Sequence, residues 1–121
     1  MDKKKILIID DEEDFCFFVK GNLENTGEFE VSAATSGKEG IVIALREKPD
    51  LILLDISMPD QVAQILSRES ATNKIPIVFL TALVTEDEIE TWAIAIIAGH
   101  KIMSKPVATA ELVGAINNTL K

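Results

Sequence analysis

The sequence predicts a doubly wound α/β domain, in which helices cover both faces of a parallel sheet. The first observation is a set of short apolar runs without polar alternation, such as Leu51–Leu54, which is typical of strands buried on both faces. The second is that segments with helical periodicity separate these runs, as parallel strands require. The third is size: 121 residues, 47% of them hydrophobic, suffice for one domain with its own core. We therefore expect residues 1–121 to form a single domain.

Strands and helices alternate along the chain. Ile6–Ile9 is the first predicted strand, and the acidic residues after it suit the first turn of a helix, whose dipole favours negative charge there. That helix is expected from Glu13 or Asp14 to about Asn25. Its predicted core stripe consists of Phe15, Phe18, Val19 and Leu23. The other predicted strands cover residues 29–34, 51–54, 77–80 and 101–104. Of the other predicted helices, one ends near residue 47, one follows Pro59, and two cover residues 86–98 and 109–120.

Charge and composition exclude several classes of function. With 20 acidic and 12 basic residues, the net charge of −8 argues against a surface for nucleic-acid phosphates and suits a cation or a basic partner. The single cysteine, Cys16, excludes an internal disulfide and is interpreted as a buried, inert thiol. The basic N-terminus leads into only four apolar residues, too few for a signal peptide, and no run is long enough to span a membrane. The expected location is cytoplasmic, with neither nucleic acid nor membrane as a direct partner.

Polar residues follow four of the five predicted strands. Asp10 and Asp11 follow the first strand, Asp55 the third, Thr81 the fourth and Lys105 the fifth. Each alone has an ordinary interpretation as a helix start, a cap or a solvated turn residue. Together they are predicted to meet at the carboxyl edge of one sheet, where open α/β sheets bind ligands.

These side chains favour a metal ion and a phosphoryl group. Three converging carboxylates repel one another unless a cation lies among them, and an all-oxygen set suits Mg²⁺. The Lys105 ammonium and the Thr81 hydroxyl could then contact phosphoryl oxygens. A carboxylate such as that of Asp55 can accept the phosphoryl group covalently.

Four segments carry a resemblance to a known family. They are Leu-Ile-Ile-Asp10-Asp11-Glu, Leu-Leu-Asp55-Ile-Ser-Met-Pro, Val-Phe-Leu-Thr81-Ala and Ser-Lys105-Pro106. In order and spacing they resemble the receiver domain of two-component response regulators. The resemblance implies a flavodoxin-like, three-layer fold with five parallel strands in the order 2-1-3-4-5 and five helices. It also implies phosphoryl transfer to Asp55 from a sensor histidine kinase or a phosphotransfer protein.

The resemblance also implies a role for each site residue. Asp11, Asp55 and the backbone carbonyl of Ser57 would bind Mg²⁺, with Asp10 acting mainly through water. Thr81 and Lys105 would contact the phosphoryl group, and the peptide bond before Pro106 would be cis. Such a domain is a phosphorylation switch and not a conventional enzyme, although it takes part in its own phosphorylation and slow dephosphorylation.

Three departures from the family pattern leave alternatives open. The loop after Pro59 is about four residues short, which could strain the site or favour domain swapping. Ile102 replaces the family's switch aromatic on the fifth strand. Trp92, Ile94 and Ile97 fall off the core stripe of the fourth predicted helix, so either that helix is rotated or they form part of a homodimer or effector surface with the fifth strand and fifth helix.

Two alternative functions follow from the same residues. One is a non-switching interaction or dimerisation module in which the short loop impairs phosphorylation. The other is a metal-dependent phosphohydrolase with an aspartyl nucleophile. The absence of a second carboxylate at Ser57 and of a cap domain argues against the hydrolase.

Overall fold

The parallel sheet is as the sequence predicts, and its strand order is the one that the family resemblance implies. The computed structural model describes residues 3–55, 62–81, 101–105 and 108–120, and in these ranges five parallel strands are ordered β2-β1-β3-β4-β5. The predicted helix over residues 86–98 lies outside the described residues, with Trp92, Ile94 and Ile97. The elements are β1 (Lys4–Ile9), α1 (Glu13–Asn25), β2 (Phe29–Ala34), α2 (Gly37–Glu47), β3 (Leu51–Asp55), α3 (Val62–Arg68), β4 (Ile77–Thr81), β5 (Lys101–Ser104) and α4 (Thr109–Thr119).

Alternate residues of each central strand supply two separate cores. Ile6 and Ile8 of β1 pack with α1 and α4 on one face of the sheet, whereas Leu7 and Ile9 pack with α2 and α3 on the other. All four side chains are at most 1% exposed. Burial on both faces explains why this strand shows no polar alternation. The doubly wound, three-layer architecture is therefore confirmed.

The predicted core stripe of α1 is wrong at one position. The side chains that this helix buries are those of Cys16, Val19 and Leu23, a spacing of three and four residues that matches one helical face. Phe18 lies next to that stripe and is 60% exposed, and Phe17 is 80% exposed. The sequence offers three phenylalanines around Cys16, and hydrophobicity alone favours the larger side chains over the smaller thiol that occupies the core.

The register between strands brings the predicted site residues to one edge. Ile9 of β1 pairs with Leu54 of β3, so Asp10 and Asp55 follow side by side. Thr81 of β4 pairs with Ser104 of β5, so Lys105 follows directly. All of these positions lie at the carboxyl end of a parallel strand, as the right-handed crossovers predict. Within the described residues, no helix has the length and apolar character needed to cross a membrane.

Candidate metal and phosphoryl site

Three carboxylates converge at the carboxyl edge of the sheet. Asp10, Asp11 and Asp55 each place one oxygen within 4.8 Å of the others. Asp10 and Asp55 are buried at the ends of β1 and β3, whereas Asp11 is exposed. The group therefore combines two fixed, buried carboxylates with one that opens to solvent, so that an ion could enter from that side.

Asp10 is fixed by the backbone around it. Its N–H donates to the carbonyl of Ala34 at 3.0 Å, which extends the β1–β2 pairing by one residue. Its Oδ1 accepts a hydrogen bond from the Glu12 N–H at 2.9 Å. Its Oδ2 is buried and, although it forms an ion pair with Lys105 Nζ at 2.5 Å, the described residues offer it no donor with hydrogen-bond geometry. This buried oxygen is suited to a further ligand.

The Lys105 ammonium links the carboxylates. Lys105 follows β5, and its N–H donates to the Thr81 carbonyl at 2.8 Å. Its Nζ lies 3.2 Å from Asp55 Oδ2 and 3.0 Å from Glu12 Oε1, in addition to the contact with Asp10. The side chain is only 8% exposed. Because a buried charge needs partners, these contacts fix the ammonium at the centre of the site.

Phe15 completes the surroundings of this lysine. The Lys105 ammonium lies 4.5 Å from the centroid of the Phe15 ring, within the range of a cation–π contact. Phe15 stands in the first turn of α1, two residues after its start at Glu13. The aromatic ring and the carboxylates therefore hold the ammonium from different elements of the fold.

Burial and charge shift the pKa values of the two central groups. Burial raises the pKa of Asp10 above its ordinary value of 3.8, the contact with the Lys105 ammonium and the hydrogen bond from the Glu12 N–H oppose this, and the Asp55 charge adds to the increase. For Lys105, burial alone would lower the pKa, but the carboxylates of Asp10, Glu12 and Asp55 outweigh it and raise the pKa above 10.5. The lysine is therefore a permanent cation at neutral pH.

Cys16 lies beneath the site without taking part in it. Its thiol is 2% exposed and donates to the Asp10 carbonyl at 3.3 Å. Burial, followed by the nearby Asp10 charge, raises its pKa to about 11. Because the nucleophile in cysteine chemistry is the thiolate, this thiol is unreactive at neutral pH. This supports the interpretation of Cys16 as an inert core residue.

The structure brings together most of the residues that the sequence singles out. Asp10, Asp11, Asp55 and Lys105 form one cluster, and Thr81 is buried at the end of β4 beside it. Ser57, the loop after Pro59 and the peptide bond before Pro106 lie outside the described residues. Ile102 lies within β5 opposite Phe79.

Sequence reasoning missed two residues, Glu12 and Phe15. The signal for Glu12 was its position directly after the Asp10-Asp11 pair, on the turn that leads into α1. Phe15 was assigned to the core stripe of α1. It is packed against that core and also contacts Lys105, a dual role that hydrophobic patterning cannot distinguish from simple packing.

The donor set fits Mg²⁺. Asp10, Asp11 and Asp55 carry three negative charges, and Lys105 neutralises one. The remaining excess, the all-oxygen ligands and the buried Oδ2 of Asp10 without a hydrogen bond are what a hard divalent cation requires. Mg²⁺ commonly uses one or two protein carboxylates and keeps several waters, so the exposed side at Asp11 suits it.

Comparison with known proteins agrees with this site. Residues 6–117 match the model of the response regulator receiver domain family. The chain therefore belongs to this family of signalling domains, which act in two-component phosphorelays. Receiver domains interact with histidine kinases or phosphotransfer proteins and with effectors, and they bind Mg²⁺ at an acidic pocket of aspartates.

Individual relatives support the same assignment. The chain is 32% identical over 120 residues to the alkaline phosphatase synthesis transcriptional regulatory protein PhoP of Bacillus subtilis strain 168, covering 98% of this chain and 49% of PhoP. It thus spans about half the length of this relative. A CheY-like receiver domain protein from Methanospirillum hungatei JF-1 superposes with a TM-score of 0.80 at 26% identity, over 98% of this chain and 94% of the other. The chemotaxis response regulator CheY4 of Vibrio cholerae shares the fold, with a TM-score of 0.84 at 21% identity over 98% and 100% of the two chains.

Proposed function

We propose that Asp55 is the phosphoacceptor of a phosphorylation switch, supplied by a sensor histidine kinase or a phosphotransfer protein. The observation that carries the proposal is the surroundings of its carboxylate. Asp55 is buried at the carboxyl end of β3, 3.2 Å from the Lys105 ammonium and beside the carboxylates of Asp10 and Asp11. A nucleophilic carboxylate held next to a permanent cation and a metal-binding cluster is what phosphoryl transfer requires.

The transfer itself is an in-line displacement. An oxygen of Asp55 attacks the phosphorus of a phosphohistidine, the new O–P bond forms as the P–N bond breaks, and the electron pair of that bond stays on the imidazole nitrogen. Lys105 neutralises charge on the phosphoryl oxygens, and the Thr81 hydroxyl donates to one of them. Dephosphorylation is a separate hydrolysis: the oxygen of a water molecule attacks the phosphorus, the bond between phosphorus and the Asp55 oxygen breaks with its electron pair staying on the carboxylate, and the water protons leave with inorganic phosphate or to solvent. Slow turnover of this kind is a property of the switch and not a conventional enzyme activity.

The residues proposed to hold Mg²⁺ are Asp10, Asp11, Asp55 and the backbone carbonyl of Ser57, with Asp10 acting mainly through water. When bound, the ion supplies positive charge that offsets the negative charge of the phosphoryl oxygens and the carboxylates. The fit of the described carboxylates to a hard cation supports this part of the proposal.

The output is proposed to be a change at a protein-interaction surface. Engagement of Thr81 by the phosphoryl group would shift the domain toward an active conformation. The surface is assigned to the region of Trp92, Ile94 and Ile97 together with β5 and the last helix, as a homodimer or effector face. Residues 1–121 are proposed to act as a single receiver domain in the cytoplasm.

Intact-mass measurement tests the acceptor directly. The protein is incubated with acetyl phosphate in Mg²⁺ or in EDTA, together with the variants Asp55→Asn and Asp50→Asn. Asp50 is an exposed aspartate directly before the start of β3, so it controls for the chemical change. We expect one phosphoryl adduct in Mg²⁺ for the parent and for Asp50→Asn, and none for Asp55→Asn or in EDTA.

Three results would count against the proposal. An adduct that persists in Asp55→Asn would place the acceptor elsewhere. A folded parent that forms no adduct would favour the non-switching interaction module, in which the short loop after Pro59 disables the site. Turnover of a phosphomonoester would favour the phosphohydrolase.

A further inference from the structure

Glu12 is the exposed member of the three carboxylates around Lys105. Its side chain is 62% exposed, whereas those of Asp10 and Asp55 are 0% and 3% exposed. Its Oε1 nevertheless accepts a hydrogen bond from the Lys105 ammonium at 3.0 Å. The lysine is thus held by two carboxylates from within the protein and by one from the solvent side.

The backbone of Glu12 is anchored while its side chain can leave. Its N–H donates to Asp10 Oδ1, and its carbonyl accepts from the Cys16 N–H at 3.1 Å, where it caps the start of α1. The carboxylate, by contrast, can turn into water without breaking either bond. Because the released carboxylate is 62% exposed and gains hydration, and because Lys105 keeps its contacts with Asp10 and Asp55, releasing Glu12 costs less free energy than releasing either buried carboxylate.

A phosphoryl group on Asp55 would need the same ammonium. Lys105 Nζ has three hydrogens and already contacts Asp10, Glu12 and Asp55, with the Phe15 ring on a further side. New phosphoryl oxygens therefore approach an ammonium that is already surrounded, and they compete with its existing partners. Asp55 itself carries the phosphoryl group and Asp10 is buried at the end of β1, which leaves Glu12 as the partner that can move away at the lowest cost.

We propose that Glu12 is a positioning residue that competes with the phosphoryl group for Lys105 and so limits how readily Asp55 is phosphorylated. In the unphosphorylated domain it holds the ammonium toward the mouth of the site. Its carboxylate also repels the incoming phosphoryl group. This inference rests on the proposed function of Asp55 and adds a regulatory element to that site.

The test compares two variants that change the net charge equally. Glu12→Gln removes the carboxylate that contacts Lys105. Glu13→Gln removes the neighbouring exposed carboxylate, for which no contact with Lys105 is found among the described residues. The rate of adduct formation from sub-saturating acetyl phosphate in Mg²⁺ is measured by intact mass, at low salt and in 1 M NaCl, and urea unfolding confirms that both variants fold like the parent.

We expect Glu12→Gln to be phosphorylated about threefold faster than Glu13→Gln at low salt, the effect of losing one ion pair whose carboxylate is exposed. Since the Debye length falls to about 3 Å at 1 M ionic strength, the difference in phosphorylation rate between the two variants should become smaller in 1 M NaCl. A merely structural role for Glu12 would not produce this salt dependence. Equal rates for the two variants, a slower Glu12→Gln, or a gap unchanged by salt would overturn the inference while leaving Asp55 as acceptor. A parent without any adduct would overturn the proposed function as well.

Discussion

Replacing Lys105 by methionine should destabilise the metal-free protein strongly. The substitution keeps the length of the side chain but removes the cation that Asp10 and Asp55 share, and both carboxylates remain buried. Breaking a buried ion pair by removing one partner costs about 3–5 kcal/mol, because the other charge is left uncompensated. Solvent screening cannot reduce this penalty much, since the lysine side chain is only 8% exposed. A domain of this kind has about 5–15 kcal/mol of total stability, so the loss is easily measured.

Urea unfolding in EDTA and in Mg²⁺ provides the assay. Lys20→Met serves as the control, because Lys20 pairs with Glu24 at 3.1 Å and donates to the Val31 carbonyl at 2.7 Å, while the side chains of Lys20 and Glu24 are more than one-third exposed. We expect a loss of about 1–2 kcal/mol from this exposed pair and the one hydrogen bond. Mg²⁺ should restore much of the stability of Lys105→Met, because a ligand at 100 times its Kd adds about 2.7 kcal/mol. Two results would refute the reasoning that Lys105 compensates the buried carboxylates: an equal loss of unfolding free energy for the two variants in EDTA, or no increase in the stability of Lys105→Met when Mg²⁺ is added.

Two further predictions concern the scaffold. Gly40→Ala should lower the free energy of unfolding by about 1–3 kcal/mol, because a Cβ there would lie 2.5 Å from Ile9 Cδ1 and 2.7 Å from Cγ1. At Gly21 an added Cβ would meet nothing within 4 Å, so Gly21→Ala should raise the free energy of unfolding by about 0.5–1 kcal/mol. Urea unfolding measures both variants, and a change of the same sign in Gly40→Ala and Gly21→Ala would contradict this packing. At the edge strand β2, the Val31 N–H donates to Glu24 and lowers the pKa of that carboxyl below 4.5, with help from a paired lysine. The ionised Glu24 carboxylate therefore stabilises the folded state, fully above pH 4.5, and this contribution is lost as the pH falls through the pKa that Glu24 has in the folded protein. In Glu24→Gln the free energy of unfolding should therefore fall less steeply as the pH is lowered below 4.5. The same steepness in the variant and the parent would exclude this contribution.

The fold could be predicted from the sequence because its signals are local and agree with one another. The run at Leu51–Leu54 is apolar throughout, and β3 is indeed buried on both faces. The site followed from topology: parallel strands with right-handed crossovers bring their carboxyl ends to one edge, so Asp10, Asp55 and Lys105 had to converge. No knowledge of side-chain geometry was needed for that step.

The side-chain partners could not be predicted in the same way. Which face of α1 is buried depends on how the helix rotates against β2 and α4, and a rotation by one residue decides between Phe18 and Cys16. The contact of Glu12 with Lys105 joins residues 93 positions apart through flexible side chains. Periodicity carries no information on such a pair, since it describes faces of elements and not the reach of individual groups.

The charge at the site explains why folding stability and function make opposite demands on it. Burial raises the pKa of Asp10, so keeping that carboxylate ionised at neutral pH opposes folding. Lys105 offsets part of this penalty without satisfying Asp10 Oδ2 by a hydrogen bond. A neutral side chain in place of Asp10 would relieve the repulsion but remove an oxygen that a divalent cation can use. Under the proposed function, this excess negative charge would couple metal binding to the phosphorylation of Asp55, and Lys105 would serve as the internal cation until the phosphoryl group arrives.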